Sequence, residues 1–480
     1  MHSANARDTA FEMSSSIIVI GAGMGGLSAA IHLAKNGFQV NVFEARTGPG
    51  GLASGVDYEG FEFDAGPYIL LDRPGLEWSF ERLGLQLSEL IPLHSVESIY
   101  NVESMDGVAV EFHADLDKTA TSFEHRWPGS GDRYKDFVGS MNRRSTALRP
   151  MLQTSRPGPI ELFRTGAWRH APFLTQTLEQ VLSGTGLPDP IIEAIAIWTH
   201  VAGQLKSQAP SPLAFVPALM HNIGAYYPEG GIRLIPQTLE RIAIAAGVRF
   251  HYGSEITQIR TEGGRVVGVE TSARDVVVGD VVLSNASALT TYLELLDLPS
   301  RATEHLKQLP LQSPGVCAYL AVRGRTSPPY LRFKLGKPDE KCRLLIQPSV
   351  VASRHSNDEW LPVRLMSPMD YDLAQRTGHR GQLDYLDRLL EEEWWRKDFT
   401  EVRVLAKRTA QQWGSDYNLY ANSMNPVMTA RFMRQGRVRH RSPHVRGLYL
   451  AGSSTHPGQW VSFCMISGIL AADCIMEDRR

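Results

Sequence analysis

The 480-residue sequence predicts an α/β fold organised around a βαβ unit near its N-terminal end. Residues 17–20, Ile-Ile-Val-Ile, form a short apolar run that is typical of a buried parallel strand. Three glycines with the spacing G-x-G-x-x-G follow it, namely Gly21, Gly23 and Gly26. A helical apolar face then ends at Gly37, and a second strand is expected over residues 39–43.

The glycine turn predicts a Rossmann-type dinucleotide site. Its glycines allow a tight turn, close approach of the backbone to a pyrophosphate, and close packing of helix on strand. The helix N-terminus offers free N–H groups to a phosphate. Glu44 ends the second strand, where a carboxylate accepts ribose hydroxyls and repels a 2′-phosphate. This unit by itself does not distinguish FAD from NAD.

Composition restricts the possible functions. A net charge of −2 with 21% charged residues argues against nucleic-acid binding as the main activity. The four cysteines form no C-x-x-C pair, so we expect a reduced compartment and no metal site. Residues 1–16 lack the apolar core of a secretory signal, and we expect them to be disordered. With no apolar run of about 18 residues, we expect a cytoplasmic protein.

The residues after Glu44 favour FAD. Gly48, Gly50 and Gly51 form a flexible loop directly after the acidic strand end, which suits a longer dinucleotide that runs on towards a flavin ring. Arg46 either neutralises a phosphate in this loop or is solvated. A strand expected over 58–64 then ends at Ala65-Gly66-Pro67.

Five blocks of sequence occur in an order typical of one group of flavoenzymes. They are VIGAGMGGLSAAIHLAKNGFQVNVFEARTGPGGLAS, FEFDAGPYIL, GAYYPEGGIRLIPQTLERIA, VVLSNAS and GLYLAGSSTHPGQWVSFCMISGILAADCI. The chain resembles the phytoene desaturase-like flavoenzymes, which include carotenoid desaturases, carotenoid isomerases and retinol saturase, within the amine-oxidase-like FAD superfamily. The first block fits many FAD enzymes, whereas YYPEGG and THPG are more particular to this group.

The resemblance implies a Rossmann-type FAD-binding domain with an inserted α+β substrate domain and a helical lobe. Residues 17–90, 225–288 and 437–480 are assigned to the FAD-binding domain, and residues 91–126 and 289–436 to the substrate domain. Residues 127–224 are assigned to a lobe that covers a substrate tunnel and can rest on a membrane. An ordinary helical subdomain with a solvated arginine face is the alternative.

The cofactor residues follow from the motifs and the resemblance together. In the resembled enzymes, the backbone near Ile256 meets the adenine, and the loop before the last helix passes under the flavin. The predicted FAD-binding residues are Gly21, Ala22, Gly23, Met24, Gly25, Gly26, Glu44, Ala45, Arg46, Gly50, Gly51, Leu52, Gly66, Pro67, Ile256, Asn285, Gly452, Ser453, Gln459, Trp460 and Val461.

Flavin performs the difficult chemistry in such enzymes, so few acid–base side chains are required. The candidate catalytic residues are Tyr227, His456 and Trp460. His456 acts as a base or flavin contact, or makes a structural hydrogen bond. Trp460 stacks near the ring, forms a tunnel wall, or packs in the core. Cys464 lies on the predicted helix 461–476, and the resembled group binds FAD noncovalently, so we expect no covalent link.

One departure from the family pattern concerns the substrate. Carotenoid desaturases typically continue THPG with small residues of the type A-G-I-P-G, whereas this chain has Gln459-Trp460-Val461. Carotenoid isomerases and retinol saturase share the glutamine but not the tryptophan. The bulk at Trp460 suggests a substrate shaped differently from phytoene.

The expected function is FAD-dependent hydride transfer from a lipophilic polyene or isoprenoid to flavin N5, giving desaturation. With no second dinucleotide motif, the expected electron acceptor is dioxygen or a quinone. One alternative is isomerisation or reductive cyclisation of another polyene or polycyclic metabolite. An alternative of another class is a non-catalytic flavin-binding escort protein. An amine oxidase proper is less well supported, because no pair of caging aromatic residues can be placed.

Overall fold

A computed structural model describes residues 16–155, 157–337, 340–352 and 360–479. The predicted disordered start at residues 1–16 lies outside this part of the chain, apart from Ser16. The α/β fold class predicted from the sequence is confirmed. None of the described helices is long and apolar enough to cross a membrane.

A five-stranded parallel sheet forms the centre of the region that the sequence predicts to bind FAD. Its strands, in spatial order, are Leu448–Leu450, Val282–Ser284, Ile17–Ile20, Val40–Glu44 and Arg249–Tyr252. The central strand is buried along its whole length, as expected for a parallel strand covered on both faces. Since the strands are parallel, their carboxyl ends meet at one edge, which is where such sheets bind ligands.

Two helices from opposite ends of the sequence pack together on this sheet. Met24–Lys35 follows the first strand, and Val461–Asp478 is the last helix. They meet at Gly25 and Gly468, where a Cβ on Gly468 would lie only 2.0 Å from the carbonyl oxygen of Gly25. Glycine is therefore required at 468 for the two backbones to approach this closely. Helices Leu234–Ala245 and Arg73–Arg82 pack beside this pair.

Smaller sheets complete this region. The apolar residues 276–283 predict a single strand, but the structure divides this segment into two strands at Gly279, where a Cβ would lie 2.7 Å from the Ile18 side chain. Val276–Val278 pairs in an antiparallel three-stranded sheet, and Val282–Ser284 pairs in the central parallel sheet. The small sheets comprise Ile256–Glu262 with Arg265–Thr271 and Val276–Val278, Gly55–Tyr58 with Phe61–Asp64, and Leu93–Ser95 with Tyr226–Pro228.

A seven-stranded mixed sheet lies beside the cofactor region. Its strands, in spatial order, are Phe399–Arg408, Val316–Gly324, Leu361–Ser367, Arg343–Ile346, Leu331–Lys334, Ser98–Glu103 and Ala109–His113. One face packs on helices Tyr371–Leu390 and Glu393–Arg396. Residues 384–395 predict a helix, but the chain is already helical from Tyr371, where Asp370 accepts a hydrogen bond from the Leu373 N–H at 3.1 Å, and the helix is kinked at Gly378, whose φ is 60°.

The remaining helices form a lobe and several connections. The lobe contains Ser130–Leu148, Pro159–Arg164, Ala171–Leu174, Leu178–Ser183, Asp189–Val201 and Val216–Asn222, and the helix Leu116–Arg126 directly precedes it. Short 3₁₀ helices in the lobe are Arg149–Gln153, Ala167–His170 and Ser211–Phe215. Other helices are Leu87–Leu90, Ala288–Leu293, Ser300–Lys307, Ala410–Asp416 and Ala430–Gln435, with 3₁₀ helices Gly51–Ala53, Pro348–Val350 and Tyr420–Asn422. The domain boundaries given above stay predictions.

Candidate active site

One cavity of about 660 Å³ extends from the carboxyl edge of the parallel sheet into the substrate region and the lobe. Gly21, Glu44, Asn285 and Gly452 line it, and each lies at the end of a strand of the parallel sheet or within two residues of that end. The parallel strands thus bring residues that are distant in the sequence to one surface.

The glycine turn forms a closely packed surface beside Asn285. A Cβ at Gly25 would lie 2.5 Å from the Asn285 side-chain oxygen, and one at Gly23 would lie 2.6 Å from its nitrogen. A Cβ at Gly26 would lie 2.1 Å from the Gly21 carbonyl oxygen, so only glycine lets the helix start this close to the strand. The turn therefore presents bare backbone to the cavity, as a pyrophosphate requires.

Glu44 is held at the end of its strand by two backbone donors. Its Oε2 accepts a hydrogen bond from the Ala22 N–H at 2.7 Å, and its Oε1 accepts one from the Arg46 N–H at 2.9 Å. The carboxylate is 7% exposed and lines the cavity. Each oxygen keeps a lone pair for a ribose hydroxyl. The turn and Glu44 together fit the adenosine diphosphate part of FAD.

Arg46 lies under a segment of the substrate region that the sequence did not single out. Its Nη1 donates to Ser54 Oγ at 2.9 Å, and its guanidinium lies 4.3 Å from the centre of the Tyr417 ring. Tyr417 and Trp413 follow the strand Phe399–Arg408 and line the cavity. The only sequence feature that could have indicated this contact is the pair of aromatic residues Trp413 and Tyr417, in a segment without other motifs.

The loop before the last helix is fixed by a second residue that sequence reasoning missed. Asn425 Oδ1 accepts hydrogen bonds from Ser453 Oγ at 3.2 Å and Ser454 Oγ at 3.1 Å, and Asn425 Nδ2 donates to Gln459 Oε1 at 3.1 Å. Asn425, Ser453 and Gln459 all line the cavity. These contacts hold the loop against the substrate region, so the conformation of the loop depends on Asn425 as well as on the residues of the loop itself.

The last helix begins at Val461, directly at the cavity. Its N-cap residue, Trp460, makes no side-chain cap and stacks on Phe463 with ring centres 4.9 Å apart. The first N–H groups of the helix therefore lack a cap from that side chain, and the positive end of the helix dipole is located at the cavity. Trp460 itself also lines the cavity.

Most of the predicted FAD-binding residues line this cavity. The residues are Gly21, Gly23, Met24, Gly25, Glu44, Ala45, Arg46, Gly50, Gly51, Leu52, Gly66, Pro67, Ile256, Asn285, Gly452, Ser453, Gln459, Trp460 and Val461. Ala22 and Gly26 do not line it. Ala22 instead donates to Glu44, and Gly26 packs on Gly21. Both residues therefore shape the cavity surface without lining it.

Two of the predicted catalytic residues do not line the cavity. The Tyr227 hydroxyl is fully buried and donates to Asp64 Oδ2 at 2.6 Å. His456 Nε2 donates to the Met151 carbonyl oxygen at 2.8 Å, and burial lowers the pKa of His456 to about 3, so the ring is neutral at physiological pH. Both side chains make structural hydrogen bonds, and this placement does not support a catalytic role for either.

Cys464 lines the cavity, but its thiol is not activated as a nucleophile. Its Sγ contacts the Gly458 carbonyl oxygen at 3.6 Å, and burial raises the pKa of the thiol to about 12. The thiol therefore stays protonated, which disfavours covalent attachment of a cofactor. Among the described residues, no group of three His, Cys, Asp or Glu side chains could hold a metal ion.

The part of the cavity away from the glycine turn is mostly apolar. Its walls come from the lobe, from the segment that leads into helix Arg73–Arg82 together with the first turn of that helix, and from the stretch before helix Ala430–Gln435. The apolar lining residues include Leu70, Leu71, Leu76, Trp198, Val201, Leu213, Val216, Met424 and Met428. Among its polar residues are Gln204 and Arg364, neither of which was predicted from the sequence.

Comparisons with known proteins agree with this geometry. Residues 24–326 match the family of flavin containing amine oxidoreductases. The chain is 27% identical to a zeta-carotene-forming phytoene desaturase of Myxococcus xanthus, over 96% of this chain and 93% of that protein. It is 24% identical to a 4,4'-diapolycopene oxygenase of a Methylomonas species, over 96% of this chain and 98% of that protein.

Solved structures show the same fold. An oxidoreductase from Methanosarcina mazei superposes with a TM-score of 0.64 at 17% sequence identity, covering 96% of this chain and all of the other. The predicted resemblance and the predicted cofactor are both confirmed. The chain belongs to the flavin containing amine oxidoreductase family and is an FAD-dependent oxidoreductase.

Proposed function

We propose that the protein desaturates a lipophilic polyene or isoprenoid. The observation that carries this proposal is the continuity of one cavity, which joins the glycine turn and Glu44 to walls formed by Trp198, Leu213 and Met424. An apolar chain can therefore lie in the same space as the reactive end of the cofactor. The relatives named above include a phytoene desaturase, whose reaction is of this type.

The cofactor assignment is part of the proposal. The glycine turn and the N-terminus of helix Met24–Lys35 would hold the pyrophosphate, Glu44 would accept the ribose hydroxyls, and Arg46 would lie near the phosphates. The loop at Gly452 and the start of helix Val461–Asp478 would meet the flavin ring. Bound FAD supplies a hydride acceptor at flavin N5.

The residues of this chain orient the substrate and exclude water. The apolar walls displace solvent from a chain that lies among them, and Trp460 limits the space at the loop. The N-terminus of the last helix stabilises negative charge at the edge of the cavity. The substrate loses a hydride and a proton as a C=C bond forms, and dioxygen or a quinone receives the two electrons.

Anaerobic reduction of the bound flavin tests the proposal. We expect the flavin absorbance to decrease when a carotenoid precursor such as phytoene or zeta-carotene, dispersed in liposomes, is added to the purified yellow protein. Trp460→Ala should change the rate or the choice between the two polyenes, because Trp460 lines the cavity. Ile244→Ala is the control, since Ile244 is 55% exposed outside the lobe, does not line the cavity and should leave both unchanged. A flavin that no polyene reduces would contradict the proposal.

We also propose that the lobe contacts a membrane surface. Ile160, Phe163 and Trp168, the lobe patch, are 85%, 75% and 50% exposed and lie on two short neighbouring helices. Arg164 and Arg169 lie in the same two helices. Exposed apolar side chains interleaved with arginines are typical of a surface that inserts shallowly into an anionic bilayer.

Liposome sedimentation tests the lobe patch. Replacement of Ile160, Phe163 and Trp168 by serine should strongly reduce binding to vesicles of phosphatidylcholine and phosphatidylglycerol, because the apolar area that enters the bilayer is lost. Replacement of Ile244 and Val278 by serine is the control, since both are exposed but lie outside the lobe. Equal binding of the wild type and the lobe variant would contradict membrane contact through this patch.

A further inference from the structure

Arg364 presents a buried charge to the cavity. It lies in strand Leu361–Ser367, where alternation directs Val363 and Leu365 into the core against helix Tyr371–Leu390. Arg364 and Met366 occupy the other face and line the cavity, together with Cys317 from the neighbouring strand. The mixed sheet thus contributes one charged side chain to a wall that is otherwise apolar at this point.

The guanidinium of Arg364 has few hydrogen-bond acceptors among the residues that the structure describes. Its two terminal nitrogens donate to the Gly66 carbonyl oxygen at 3.3 and 3.4 Å, and one also contacts Met366 Sδ at 3.9 Å. Its Nε is buried without a hydrogen-bond partner. The residue is only 2% exposed, its guanidinium lies 5.8 Å from the centre of the Tyr319 ring, and the nearby Cys317 and Asp64 favour its charged form.

The hydrogen bonding of the Arg364 guanidinium is therefore incomplete. Arginine stays protonated in proteins, and a buried charge is ordinarily paired or fully hydrogen-bonded. Asp64 is close enough to favour the charged form of Arg364, but it accepts hydrogen bonds from the Tyr227 hydroxyl at 2.6 Å and the Arg233 N–H at 3.3 Å. The cavity is the remaining direction from which a partner can approach the guanidinium.

We infer that Arg364 binds a carboxylate or carbonyl oxygen of the substrate, so that a lipophilic chain that carries such an oxygen binds more tightly than a plain hydrocarbon. This inference rests on the proposed function, because it assigns the substrate class of the same cavity. The oxygen accepts hydrogen bonds from the guanidinium, and the apolar part of the chain lies against the walls formed by the lobe.

Equilibrium binding of matched polyenes tests this inference. The probes are retinoic acid, retinal and the hydrocarbon analogue in which a methyl group replaces the carboxylate, titrated into the FAD-bound protein while flavin absorbance and tryptophan fluorescence are followed. We expect the wild type to bind the acid and the aldehyde about tenfold or more tightly than the hydrocarbon, as is typical of hydrogen bonds to a charged group. Arg364→Met should remove this preference, and Arg364→Lys should retain part of it for the acid.

Arg332→Met is the matched control. Arg332 lies in the same sheet, forms an ion pair with Asp398 and does not line the cavity, so its replacement should leave the preference unchanged. Equal binding of the three probes by the wild type overturns the inference, whether or not Arg364→Met folds. The inference is also overturned if Arg364→Met keeps the preference for the acid and the aldehyde. If Arg364→Met loses FAD, Arg364→Lys decides the outcome: an FAD-bound Arg364→Lys protein with an unchanged preference overturns the inference. A normal preference without flavin reduction would contradict the proposed oxidation and leave the inference intact.

Discussion

Gly26→Ala should give a protein without bound flavin. A Cβ at this position would lie 2.1 Å from the Gly21 carbonyl oxygen, which belongs to the backbone and cannot rotate away. The helix Met24–Lys35 then has to move from the strand that precedes it, and the N–H groups at its start lose their alignment with the pyrophosphate. We expect FAD content after purification to fall below a tenth of that of the wild type, since a loss of about 1.4 kcal/mol already weakens binding tenfold.

Gly48→Ala provides the control for this variant. Gly48 lies in the glycine-rich loop after Glu44, and a Cβ there meets nothing within 4 Å. The same chemical change should therefore leave the flavin in place. Absorbance of the purified proteins at the flavin bands, with circular dichroism to verify folding, decides the outcome. A folded Gly26→Ala protein with a full complement of FAD would show that the close approach of helix and strand is not required.

Asp72→Asn should cause the largest loss of stability among the single substitutions considered. Asp72 is 4% exposed, and it joins Arg149 of the lobe at 2.8 Å to Ser462 of the last helix at 2.9 Å. Removing its charge leaves Arg149 without its partner in a mostly buried position. Breaking one side of a buried pair costs about 3–5 kcal/mol, and we expect the lower value because Arg149 is partly exposed.

Thermal unfolding and FAD affinity measure this effect together. Asp72→Asn should lower the unfolding midpoint and weaken FAD binding, because Ser462 lies in the first turn of the helix that begins at the cavity. Adding Arg149→Met to Asp72→Asn should restore part of the stability, since no unpaired charge then remains. Glu401→Gln, which breaks the exposed pair with Arg323, should cost less than about 1 kcal/mol. Equal effects of Asp72→Asn and Glu401→Gln would contradict the assignment of Asp72 as a buried link.

The parts of the site that sequence predicted correctly depend on local spacing. The glycine turn, Glu44 and the loop from Gly452 to Val461 each follow a strand within a few residues, so their placement at one sheet edge follows from parallel topology. The split at Gly279 was missed because Val276–Val278 and Val282–Ser284 are equally apolar. The two strands are separated by Gly279, whose close approach to Ile18 is a tertiary feature that the local sequence does not reveal.

The residues that sequence missed reach the cavity through tertiary structure alone. Arg364 sits in a strand whose pattern resembles any buried strand, and Asn425 contacts a loop that is distant in the sequence. Tyr227 and His456 were chosen because they lie in motifs, but a motif does not determine where a side chain points. The hydrogen bonds to Asp64 and to the Met151 carbonyl oxygen turn them away. The hydrogen bond from His456 to the Met151 carbonyl oxygen corresponds to the structural role that the sequence suggests as an alternative to a catalytic one.

The close contact between Gly25 and Gly468 has a consequence for biosynthesis. The strand at Ile17–Ile20 is synthesised long before Leu448–Leu450, which pairs with Val282–Ser284 in the same sheet, and before the helix that packs on the glycine turn. Domains generally acquire structure as their segments emerge, and contacts between distant segments form late. The nascent chain therefore cannot complete the cofactor site until the helix Val461–Asp478 has emerged from the ribosome.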